Sequence, residues 1–123
     1  MLAIAAHTAV ILVAALHLWF LVLEMFLWDK PLGRRTFGMT PDQAAATKPL
    51  AMNQGLYNGF LAAGLLWGLA AGVQVQVFFL ACVIVAGVFG AVTASRKILW
   101  VQALPGLVAL ILVLLRPGGL PGA

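Results

Sequence analysis

Residues 2–28 read LAIAAHTAVILVAALHLWFLVLEMFLW, with a single charged side chain, Glu24, near the far end. A helix that crosses a bilayer needs about 20 predominantly apolar residues, so this run is read as a spanning helix. Working outward, three more apolar runs follow, at about Pro49 to Ala71, Val77 to Ala94 and Ile98 to Leu115. The chain is 64% apolar and 8% charged over 123 residues, more apolar surface than a soluble domain of that length can hide. The expected fold is all-α: one domain over 1–123, a four-transmembrane-helix bundle with helices at about 2–28, 49–71, 77–94 and 98–115, and a loop at 29–48.

That loop carries Lys30, Arg34, Arg35 and Lys48 against Asp29 and Asp42, and Pro31 and Gly33 give it a turn character. Inside it, Thr40-Pro41-Asp42-Gln43 reads as a helix start, so a short helix is expected from about residue 41. Thr40 is the N-cap, Pro41 takes the first helical position, and Gln43 closes a capping box. Pro49 either opens the next membrane helix or kinks a helix entering from Pro41. Gly72 to Gln76 and Ser95-Arg96-Lys97 are short turns, and Arg116 to Ala123 is a tail rich in Pro and Gly.

In a soluble protein the formal charge of +4 would point to nucleic acid. Here it is a topology signal, and no nucleic-acid partner is expected. Lys30, Arg34, Arg35, Lys48, Arg96 and Lys97 fall on one side of the alternating spans, and only Arg116 on the other. Positive loops stay in the cytoplasm, so both termini are expected outside, in a multi-pass protein whose first partner is the lipid bilayer. Trp28 and Trp100 then mark one interface and Trp67 the other. The N-terminus lacks a basic n-region and is not read as a cleavable signal peptide. Cys82 alone offers neither a disulfide nor a metal motif.

Polar groups in a bilayer are costly and mark function. At a rise of about 1.5 Å per residue, Glu24 lies roughly 6 Å inside Trp28, and Asn53 lies as deep on the antiparallel neighbour. Gln54 sits beside Asn53, Gln102 lies four residues inside Ile98, and Thr93 approaches from the third run. A deeper layer contains His17, two turns before Glu24 on nearly the same face, with Tyr57 and Asn58. The second run thus carries Asn53, Gln54, Tyr57 and Asn58 on one side and Gly55, Gly59 and Ala63 on another. The third run carries the same small-residue spacing at Ala86, Gly90 and Ala94, and at Gly87 and Ala91. Such seams let helices approach closely and suggest a homo-oligomer.

These residues suggest a polar pocket under the cytoplasmic face that binds or transports a small molecule, with Glu24 as proton carrier. A second reading is a membrane-embedded isomerase or hydrolase acting on a lipophilic substrate. Glu24 would be its acid or base, with His17 and Tyr57 as proton donors. A third reading is that the polar groups bond one another and hold the bundle together. Arg96 and Lys97 are topogenic and also candidates for contact with an anion or headgroup. No metal or cofactor is predicted; a metal or haem at His17 has no spacing motif behind it. His7, near the outer end, reads as an interfacial residue.

Leu23-Glu24-Met25-Phe26-Leu27-Trp28, Asn53-Gln54-Gly55-Leu56-Tyr57-Asn58-Gly59-Phe60-Leu61-Ala62 and Ala94-Ser95-Arg96-Lys97-Ile98-Leu99 occur here in one order. With the Thr40-Pro41 start and Val101-Gln102-Ala103-Leu104-Pro105, this chain resembles a bacterial family of small four-helix membrane proteins. The family is catalogued as domain of unknown function 1304, and the resemblance covers nearly the whole chain. It implies an integral protein of the bacterial inner membrane and carries no established activity. It also implies that Glu24, Asn53, Gln54, Tyr57 and Asn58 recur. The family's first helix typically has a Glu-His pair; here Leu16-His17 stands in that place, so a second carboxylate is absent.

Overall fold

In a computed structural model, residues 1–119 can be described, and the chain is all-α, with no strand among those residues. The helices are α1 (Leu2–Met25), α2 (Pro31–Phe37), α3 (Pro41–Ala71) and α4 (Val73–Thr93). A π-helical segment (Leu99–Ala103) then runs into α5 (Leu104–Leu115). Leu2–Met25 and Val73–Thr93 are long and apolar enough to cross a membrane, and Leu99–Leu115 is a shorter apolar helix. Of the tail expected after Leu115, residues 120–123 lie outside the described ones.

Local chemistry explains where the helices stop. α1 ends at Met25, short of Trp28, because the Phe26 and Leu27 N–H groups both turn back onto the Val22 carbonyl, at 3.0 and 3.1 Å. The stretch after Pro31, expected as loop, is the helix α2. Pro31 opens it, where a missing N–H costs nothing, and Gly38 closes it at φ 64°, donating its N–H to the Arg34 carbonyl. The capping box at Thr40 forms as expected. The Thr40 N–H donates to Gln43 Oε1 at 2.9 Å, and the Gln43 N–H donates to Thr40 Oγ1 at 3.2 Å.

Past that cap the chain stays helical to Ala71, so the short helix and the second apolar run are one element with Pro49 inside it. α4 begins at Val73, four residues before Val77, because Gly72 alone makes the turn at φ 117°, a conformation open to glycine. The last apolar run is not one regular helix. Its first turn is π-helical, with the Leu104 N–H bonded to the Leu99 carbonyl. Pro105 gives the reason, since it has no N–H to continue an i→i−4 ladder there.

The chain divides into two compact units, Ala15–Phe60 and the remainder, Met1–Ala14 with Leu61–Ala123. In the second unit, Val10 and Val13 of α1 share an apolar core with Leu65 of α3, Leu80 and Val83 of α4, and Ala109 and Val113 of α5. α4 and the π segment approach closely there, for a Cβ on Gly87 would lie 2.8 Å from the Ala103 nitrogen. At the edge of this unit Arg116 Nη1 donates to His7 Nε2 at 2.6 Å.

The Ala15–Phe60 unit is held by polar contacts as well as packing. Trp28 Nε1 donates to Thr47 Oγ1 at 3.0 Å, and Lys48 Nζ to Asp29 Oδ2 at 2.8 Å. These two bonds tie the turn after α1 to α3 on the N-terminal side of Pro49. The Trp28 ring also packs on Phe37 at a centroid distance of 4.7 Å, which seats α2.

Candidate functional site

Glu24 and Asn58 meet in the Ala15–Phe60 unit. Glu24 comes from the last turn of α1 and Asn58 from the middle of α3, and both are buried, at 9% and 5% exposure. Asn58 Nδ2 donates to Glu24 Oε1 at 2.7 Å. The approach depends on Gly55, one turn before Asn58. A Cβ there would lie 2.6 Å from Met25 Cγ and 3.1 Å from Glu24 Cβ. At about 100° per residue, Gly55 and Asn58 share a side of α3 with Ala51 and Ala62, all of them buried. Gly59 belongs to the same seam, close to Leu21 Cδ1.

The rest of the α3 polar set points elsewhere. Asn53 and Gln54 are exposed, and Tyr57 is 52% exposed with its ring 6.0 Å from that of Phe60. The sequence grouped four polar residues on one side of the helix; the arc is wide, and only its Asn58 edge turns toward α1. His17, in the same unit, is fully buried, with its ring edge-on to Phe20 at 5.3 Å and 71°.

Gln102 has a different role. It sits in the π segment and donates Nε2 to the Val83 carbonyl of α4 at 3.1 Å. Gln76 does the same from α4, fully buried and bonded to the Gly68 carbonyl at 2.8 Å. Gln76 was read from sequence as part of a turn. A glutamine four residues, about one helical turn, past a single glycine, at the mouth of an apolar run, was the available sign. Arg96 and Lys97 are exposed in the turn after α4. Thr93 bonds its own helix, at the Phe89 carbonyl.

Chemically, Glu24 has one carboxyl oxygen engaged. Oε1 accepts from Asn58, and no described residue donates to Oε2. The arrangement can hold a proton or accept a hydrogen bond from a second donor. In the turn after α1, Asp29 is held below its ordinary value of 3.8, first by the hydrogen bond from Lys48.

Two surface hollows stand out among the described residues. The larger, about 780 Å³, is lined by Ala71, Val73, Gln74, Val77, Leu114 and their neighbours, none of them a candidate site residue. The smaller, about 300 Å³, lies on α2 between Pro31 and Met39.

An all-helical chain with two membrane-length apolar helices and a buried carboxyl–amide pair is the class defined so far. Its family follows: residues 11–114 match the protein family of unknown function DUF1304, and the chain belongs to it. An uncharacterized protein, YpaA, of Lactococcus lactis subsp. lactis (strain IL1403) is 27% identical over 106 residues, covering 82% of this chain and 89% of that protein. No solved structure matches the chain.

Proposed function

We propose that this protein is a four-span protein of the bacterial inner membrane, with both termini periplasmic, that binds or transports a small molecule at Glu24 and Asn58. Glu24 serves as its proton carrier, and the site opens toward the cytoplasm. Three features support the topology. α1 and α4 have membrane length. Leu99–Leu115, at a rise of about 1.5 Å per residue, extends about 26 Å, close to the hydrocarbon thickness. Basic residues collect in the loops after α1 and α4, with Arg116 the exception. α3 supplies the remaining span from its apolar second half.

The observation that carries the functional reading is the half-used carboxyl. A buried Glu24 with Oε1 held by Asn58 and no described donor on Oε2 suits exchange of a proton or a donor-bearing ligand. The test uses Glu24→Gln, which keeps an oxygen for Asn58 and removes the titrating group. Proteoliposomes holding the wild-type chain are expected to couple solute movement to proton flux, with Glu24→Gln folded but inactive. Equal flux from both proteins rejects the proposal.

The direct Glu24–Asn58 bond also favours a second reading, in which the pair only joins α1 to α3. That reading expects Asn58→Leu to lower stability, with no solute-linked phenotype in any variant that folds. A homo-oligomer through small-residue faces would use Ala63, Ala86 and Ala94, which stay exposed. Gly55, Gly59, Gly87 and Gly90 already face side chains or backbone of their own chain.

A further inference from the structure

The loop after α1 contains a basic hollow that the proposed function does not use. Its walls are Pro31, Arg34, Arg35, Gly38 and Met39, and its volume is about 300 Å³. Both arginines lie in the last turn of α2. The Arg34 Nε is buried and has no hydrogen-bond partner among the described residues. Leaving a guanidinium N–H unpaired inside a protein is costly, so the geometry asks for an acceptor.

The loop's own carboxylates do not answer that demand. Asp29 is taken by Lys48 at 2.8 Å, the one salt bridge among the described residues. Asp42 lies in the first turn of α3 and makes no ion pair with either arginine. The positive charge of Arg34 and Arg35, with the exposed Lys30 one turn before Arg34, is therefore uncompensated.

The hollow is also built to keep its shape. Gly33 is buried, and a Cβ there would run into the Leu27 carbonyl oxygen, so α2 lies hard against the preceding turn. Phe37 packs at a tilt against Trp28, and Trp28 is bonded to Thr47 of α3. Gly38 closes the hollow at φ 64°. In the same segment, Phe26, Leu32 and Phe37 are exposed at 63%, 41% and 43%. A fork of guanidinium donors in a segment with exposed apolar side chains matches the border between headgroups and acyl chains.

We propose that Arg34 and Arg35 form a binding site for a phosphate group, in which the buried Arg34 Nε–H and the Arg35 guanidinium donate to phosphate oxygens. The ligand class is a phosphate-bearing anion, from an anionic phospholipid headgroup or from free phosphate.

Titration calorimetry on the full chain in detergent tests this, with short-chain phosphatidylglycerol, short-chain phosphatidylcholine and inorganic phosphate as separate probes. Phosphatidylglycerol or inorganic phosphate is expected to bind the wild type. Arg34→Gln with Arg35→Gln weakens that binding about ten-fold or more, the loss of one or two charge-assisted hydrogen bonds. Arg96→Gln with Lys97→Gln removes the same charge from the other basic turn, the rival candidate for an anion contact; binding kept within about two-fold, well below the loss of one such bond, assigns the phosphate to Arg34 and Arg35. Arg34→Lys, which keeps the charge and loses the fork, falls between and guards against misfolding of the double variant. Binding of phosphatidylglycerol alone assigns the lipid, and inorganic phosphate binding as tightly assigns the free anion. The proposal is overturned if neither probe binds, if both double variants lose affinity equally, or if phosphatidylcholine binds as well as phosphatidylglycerol.

Discussion

The two compact units solve the same problem, polar side chains in an apolar chain, in opposite ways. In the unit of residues 1–14 and 61–119, Gln76 and Gln102 each give an amide proton to a backbone carbonyl, Gly68 and Val83 respectively. Those carbonyls belong to helices that satisfy them anyway, so the bonds add to packing and leave no reactive group. In the Ala15–Phe60 unit the bonds run between side chains: Asn58 to Glu24, Trp28 to Thr47, Lys48 to Asp29. A charge or a titrating group is at stake in two of these three. The lesson is that an amide on backbone is structural, whereas an amide on a carboxylate marks a place where chemistry can change.

The comparison breaks or sharpens by substitution, read as unfolding of the full chain in detergent. Asn58→Leu is expected to cost most, about 3 kcal/mol, because it strands a buried carboxylate oxygen. A loss no larger than that for the glutamines would erase the distinction between the units. Gln76→Leu should cost about 1 kcal/mol, the net worth of one fully buried neutral hydrogen bond. Gln102→Leu should cost about 0.6 kcal/mol, the average for a polar contact between membrane helices. It should leave any Glu24-dependent activity intact; loss of that activity would return Gln102 to the site.

The smallest effect is that of Asp29 and Lys48, a half-exposed surface pair weakened by salt. Asp29 has its folded value lowered below 3.8 by the Lys48 bond. Its stabilisation is therefore complete above that pH and fades as pH falls through the lowered value. Melting of the wild type and Asp29→Asn from neutral to strongly acidic pH should show a small wild-type advantage that vanishes only at the acid end. An advantage that grows on acidification would be of the wrong sign.

Parts of this were legible in residues close together in the chain. The capping box needed only Thr40, Pro41 and Gln43, and its two bonds formed. α2 had comparable signals, Pro31 at the start and Gly38 just past the end, but a stretch with a second glycine and two arginines was read as loop. The π turn was not legible, since Pro105 announces a break in the ladder without saying how the chain absorbs it. On α3 the sequence pattern sets Asn58 with Asn53, Gln54 and Tyr57 on one side and Gly55 on another, whereas Asn58 and Gly55 share the buried side. The pattern did not say that Asn53, Gln54 and Tyr57 would stay exposed, because that depends on where α1 crosses. Nor could composition distinguish Gln102 on a carbonyl from Asn58 on a carboxylate.

The contact between His7 and Arg116, with Val10 and Val13 in one core with Ala109 and Val113, bears on the order of assembly. α1 and α5, the first and last of the described helices along the chain, share one core. α1 can pack on Leu65 of α3 and on Leu80 and Val83 of α4 as these are made, but its core is complete only when α5 has been synthesised. Closing so long a loop is slow relative to local helix formation. A chain stopped before residue 104 would retain the residues of the Glu24–Asn58 pair yet lack Ala109, Val113 and Arg116, which complete the packing of the first half of α1.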